Sequence, residues 1–182
     1  MTHTSNGDFL YVVMSDEFAA DDTLVYQLID GQLKAMGRTG MFKFLPYDPD
    51  YCFLIERVDV VGSGGMYIPC SIVTKDGLPI ITDSYYKASN STCNAGIAKI
   101  DLKAKSDGGA FTVAAGTSLK LLGIDPEKKL AYFTTLNQDE SLNQTFQLDL
   151  YVYSDEYVTF YAAEVDGVTD SDELFTGLFT AG

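Results

Sequence analysis

Thr145-Phe-Gln-Leu-Asp-Leu-Tyr-Val-Tyr153 decides how this chain is read. Phe146, Leu148, Leu150 and Val152 fall on one side of an extended segment, and Thr145, Gln147, Asp149, Tyr151 and Tyr153 on the other. A period of two is what a half-buried strand requires, because successive side chains of a strand point to opposite faces. After Ser154-Asp-Glu156 the alternation resumes, with Val158, Phe160 and Ala162 opposed by Tyr157, Thr159 and Tyr161. Residues 144–165 are therefore predicted to form a hairpin with one apolar face and one tyrosine-rich face.

Outward from this hairpin the same grammar repeats. Asp30-Gly31 separates Leu24–Ile29 from Gln32–Met36, and Asp76-Gly77 separates Ile68–Thr74 from Leu78–Tyr86. Asp-Gly supplies the positive φ angles of tight hairpin turns at little steric cost. Asp125-Pro-Glu127, between Leu119–Ile124 and Lys129–Leu136, suits a type I turn in which Pro fixes φ. Phe9–Met14, Met41–Leu45, Tyr51–Val61 and Ile97–Ala104 complete the strand candidates. About ten to twelve short strands result, at the spacing of sandwiches and barrels. Helix signals are thin: one turn at 15–20, and a tail from Asp170 to Phe179 capped by Ser171. Asp172 and Glu173 would favour the start of that tail helix, and Leu174, Phe175 and Leu178 would form its buried stripe. The expected fold is all-β, an antiparallel sandwich or distorted barrel with one or two short helical segments. A flexible lead (residues 1–7) precedes a single β-rich domain (8–182), and no interior loop is long enough for a domain linker.

Composition narrows the function classes. The 182 residues include 12 Tyr and 11 Phe but no Trp, which suits pleated, half-buried surfaces. The formal net charge is −14. A phosphate backbone or an anionic membrane would repel such a surface, and Lys128-Lys129 is the only basic doublet. Nucleic-acid binding and membrane insertion are not expected. No apolar run approaches a membrane span, and the N-terminus does not read as a signal peptide. Asn90-Ser-Thr92 and Asn143-Gln-Thr145 match the glycosylation pattern but read as chance matches.

The chemistry-bearing residues are few. His3 is the only histidine, so the commonest proton shuttle and metal ligand is missing from the body of the chain. Cys52, Cys70 and Cys93 are odd in number and widely spaced, and read as reduced structural thiols. Ser63 lacks the Gly-x-Ser-x-Gly context of a nucleophile elbow. Asp166, Asp170, Asp172 and Glu173 crowd into eight residues. Asp166, Asp170 and Asp172 are candidate ligands for calcium, which takes six to eight oxygens, although the spacing is not that of an EF-hand. The same run also reads as a solvated helix N-terminus. Glu56 and Glu164 are strand carboxylates among apolar neighbours, the pair on which a carboxylate-based hydrolase would rest. No other cofactor is implied.

Tyr151, Tyr153, Tyr157 and Tyr161 form the candidate interface, since tyrosine offers a large contact area with a polar tip. The expected function is a non-catalytic structural or binding domain in a homo-oligomer or other protein assembly, of the virion-accessory or surface-module type. An extracellular carbohydrate- or calcium-binding module is the alternative, and a carboxylate-based hydrolase the second alternative.

Overall fold

The computed structural model describes residues 1–14, 22–43, 48–58, 60–62, 64–89, 94–137, 142–154 and 159–178. It is nearly all β, with antiparallel sheets of four and twelve strands that do not close into a barrel. Packing groups the chain into two compact units, one of residues 1–56 and 67–83, the other of 57–66 and 84–182.

In the first unit, β1 (Thr2–Thr4), β2 (Gly7–Met14), β3 (Asp22–Ile29) and β4 (Gln32–Gly40) follow one another as an antiparallel meander. Part of the segment 1–7, expected as a flexible lead, is thus β1, with Thr2 opposite Phe9 and His3 opposite Asp8. The Asp30-Gly31 turn is as tight as its sequence predicts: both residues have positive φ, 50° and 75°, and Ile29 faces Gln32. Asp76-Gly77 behaves differently. It lies in a wide connection between β6 (Gly64–Ser71) and the two-residue β7 (Ile80–Ile81). Thr74 Oγ1 and the Leu78 N–H both donate to the Asp76 carboxylate, at 3.0 and 3.1 Å. Gly77 has φ 70°, and a Cβ there would sit 2.4 Å from the Phe9 ring. The glycine is required by close packing as well as by the turn. Phe9, Tyr11, Val25, Phe42, Cys52, Cys70 and Ile72 form this unit's core. The buried Tyr11 hydroxyl donates to the Gly77 carbonyl at 2.8 Å, as a buried phenol should.

β5 (Cys52–Val58) and β6 are sheet neighbours, and both run from one unit into the other. The second unit adds β8 (Tyr86–Ala88), β9 (Ala95–Ala98), β10 (Leu102–Ser106), β11 (Gly109–Val113), β12 (Ser118–Asp125), β13 (Leu130–Leu136), β14 (Leu142–Ser154) and β15 (Thr159–Glu164). A single helical turn, α1 (Ser171–Leu174), leads into β16 (Phe175–Thr176), which pairs with β9. The stretch expected as one strand at Ile97–Ala104 is two, β9 and β10. The tail helix is shorter than expected, because Phe175 leaves helical geometry and joins the sheet. Asp170, one residue before the expected cap, accepts the Asp172 N–H at 2.9 Å. The Ser15–Ala20 helical turn lies outside the described residues. Phe133 stacks on Phe146 at 5.4 Å and packs at 6.1 Å on Phe175, joining β13, β14 and β16 in one core.

β14, at 13 residues the longest strand among the described residues, uses both of its edges. Gln147 faces Tyr132 of β13 and Lys105 of β10, while Asp149 faces Leu130 of β13 and Glu164 of β15. One residue has only two edges, so β10 and β15 share the edge opposite β13.

Candidate functional site

The hairpin predicted at 144–165 is present as β14 and β15, with Ser154 facing Thr159 across a four-residue connection. Directly opposed residues of an antiparallel pair share a face. Tyr153 faces Phe160 and Tyr151 faces Ala162, whereas Val152 faces Tyr161 and Leu150 faces Ala163. The outer face therefore carries Tyr151, Tyr153 and Phe160, at 40%, 50% and 41% exposure, and Tyr161 is buried on the other side. The sequence reading had placed Phe160 inward and Tyr161 outward. An even number of connecting residues inverts the parity of the second strand, and the alternation alone does not fix that number. Tyr157 lies outside the described residues.

A second feature lies in the same unit. An open groove of about 750 Å³ is lined by Tyr85 and Tyr132, by Asn143, Gln144 and Gln147, and by the β10–β11 turn at Asp107. Its floor depends on a bulge. Leu121 faces Phe133 and Gly123 faces Tyr132, so Leu122 is an extra residue in β12. Tyr85 lies across the bulge: its hydroxyl donates to the Leu122 carbonyl at 3.2 Å, and its ring meets Tyr132 edge-on at 5.5 Å. Gly123 leaves room for it, since a Cβ would lie 2.5 Å from the Tyr85 hydroxyl oxygen. Burial, and to a lesser degree Tyr132, raises the Tyr85 pKa, so the phenol remains a donor. The signal for this site was in the sequence: a lone Gly inside a strand pattern marks a bulge, and Tyr132 falls on the outward phase between Ala131 and Phe133.

Asp125 also lines the groove. Its side chain is only 1% exposed. Lys128 holds it through Nζ at 2.6 Å and through its backbone N–H at 3.1 Å. Burial drives the Asp125 pKa upward, but Lys128 and the Ser84 hydroxyl outweigh it and leave the carboxyl below the usual aspartate range. Its acceptor capacity goes to Lys128 of the Asp-Pro turn and to Ser84.

The acidic run divides its tasks. Asp166, with φ 52°, pairs with Lys103 at 2.8 Å. Asp170 caps α1, and the Asp172 backbone carbonyl accepts from Lys99 Nζ at 3.0 Å. Among the described residues, no group of three His, Cys, Asp or Glu side chains is arranged to hold a metal ion. Glu56 lies in the first unit, where burial raises its pKa, and Glu164 lies in the second. His3 pairs with Asp8 at 2.6 Å on the surface, away from any core. Comparison with family models, with curated proteins and with solved structures finds no match to this chain.

Proposed function

We propose that this chain is a non-catalytic domain that self-associates through the outer face of the β14–β15 hairpin. The supporting observation is the cluster of Tyr151, Tyr153 and Phe160, three large exposed aromatics on one face of two paired strands. Tyrosine and phenylalanine are enriched in the buried centres of interfaces, where charged residues are depleted. Charge favours the same surface. Copies carrying −14 each repel one another, so association is cheapest where carboxylates are absent. Residues 150–154 and 159–163 include no charged side chain. The assembly proposed is of the virion-accessory or surface-module kind. Light scattering over a range of concentrations tests the reading. The expected result is a defined oligomer that dissociates in the Tyr151→Glu/Phe160→Glu variant, with the β-sheet circular dichroism retained. A wild-type monomer at every concentration refutes it.

The groove favours a second reading, a binding module for a neutral saccharide. Paired tyrosines beside Asn143, Gln144 and Gln147 offer a stacking surface next to amide donors and acceptors, the mixture that polyols require. A glycan array checks it. Retention of a glycan that is lost in Tyr132→Ala supports the reading, and an empty array counts against it.

A further inference from the structure

Cys52 on β5 and Cys70 on β6 lie on neighbouring strands and in the same buried cluster. Both are free thiols, and each is the strongest electrostatic neighbour of the other. The Cys52 sulfur also lies 2.9 Å from the Asp48 carbonyl. A single buried Cys usually acts as a small apolar side chain. Two in one cluster on adjacent strands lie near the span that a disulfide bridges, because neighbouring strands run about 4.7–4.9 Å apart, inside the Cα range of a disulfide. Little backbone movement is needed to join them.

We propose that Cys52 and Cys70 form a reversible dithiol–disulfide site that a small hydroperoxide oxidises. Cys70 is fully buried and Cys52 is 5% exposed, so only a compact reagent reaches them. Cys70 ionises first, because Cys52 and the Leu54 N–H favour its thiolate by more than burial disfavours it. Its thiolate attacks the distal peroxide oxygen. The O–O bond breaks, and the leaving alkoxide takes up the proton lost by Cys70 and departs as the alcohol. The Cys52 sulfur then attacks the resulting sulfenic acid. The S–S bond forms, the S–O bond breaks, and hydroxide leaves with the Cys52 proton as water. Two thiols lose two electrons in all, and the peroxide is reduced to alcohol and water.

The experiment treats the full chain and its Cys93→Ser variant with hydrogen peroxide under native conditions. The protein is then unfolded, alkylated with N-ethylmaleimide, digested and weighed. In Cys93→Ser the expected product has lost two hydrogen masses, takes up no maleimide and yields a linked peptide spanning positions 52 and 70. Dithiothreitol restores both maleimide sites. In the full chain the same linked peptide is expected, and this arm does not depend on the variant folding. The proposal is overturned if both cysteines remain open to maleimide, if they gain oxygen without joining, or if Cys93 is the partner of either.

Discussion

Replacing Gly123 with Ala strikes the bulge on which the groove rests. The new Cβ would lie 2.5 Å from the Tyr85 hydroxyl oxygen and 2.5 Å from the Tyr86 carbonyl oxygen. Tyr85 is a side chain and can swing away. Tyr86 cannot, because its carbonyl is backbone in β8, paired with Ile124. Overpacking of this kind costs ~1–3 kcal/mol. A displaced Tyr85 also gives up its hydrogen bond to Leu122, worth ~1 kcal/mol. Reduced freedom of the unfolded chain returns ~0.4–1 kcal/mol. The net expectation is a loss of about 2 kcal/mol, which at a typical urea slope lowers the unfolding midpoint by about 1 M. Urea titration followed by far-ultraviolet circular dichroism measures it, and the near-ultraviolet tyrosine signal reports on Tyr85 and Tyr132. Gly40→Ala is the control: its Cβ would meet nothing within 4 Å, and its stability should change by less than ~0.5 kcal/mol. Adding Tyr85→Ala to Gly123→Ala should not restore wild-type stability, because the Tyr86 carbonyl still blocks the methyl group. A Gly123→Ala protein with wild-type midpoint and unchanged tyrosine signal would refute this account of the bulge.

Three further outcomes follow from the packing and the ionisable groups. Phe133→Ala, at a fully buried ring between Phe146 and Phe175, should cost ~3–5 kcal/mol and lower the thermal midpoint accordingly. Burial raises the Glu56 pKa, so the folded chain holds a proton that the unfolded chain has released. Stability should therefore fall as pH rises from the ordinary glutamate value, ~4.3, through the raised one, and Glu56→Gln should flatten that slope in urea titrations taken at successive pH values. Asp125 has the opposite sign: its depressed carboxyl contributes stability that is present above the ordinary aspartate value, ~3.9, and is lost as pH falls through the lower folded value. Asp125→Asn should lose ~1.5–3 kcal/mol at neutral pH and show a shallower acid limb.

The sequence was most legible where one local rule set the geometry. Asp30-Gly31 supplies both positive φ angles by itself, and Asp125-Pro supplies an acceptor and a fixed φ, so both hairpins stand where the residues put them. The inward series Phe146, Leu148 and Leu150 needed only the pleat. Legibility failed where a distant partner decides. Asp76-Gly77 looks like a two-residue turn, yet the Phe9 ring lies against the glycine and the connection opens around it. Phe160 and Tyr161 exchanged sides because their phase depends on the length of the turn, not on their own hydrophobicity. The Tyr85–Tyr132 groove escaped because one ring comes from the residue before β8 and the other from β13, with β9 to β12 between them, and no local pattern joins them. The lone Gly123 was the available clue.

The two-sided use of β14 has a consequence for synthesis of the chain. β10 and β13 each pair with it, yet β10 ends at Ser106 and β14 begins only at Leu142. On the ribosome, both strands emerge with an open hydrogen-bonding edge and wait for a segment still to be translated. Such waiting edges are the species most prone to mispairing with other nascent chains. Arrested chains that end just before residue 142 should therefore engage chaperones, and chains extended past residue 164 should release them.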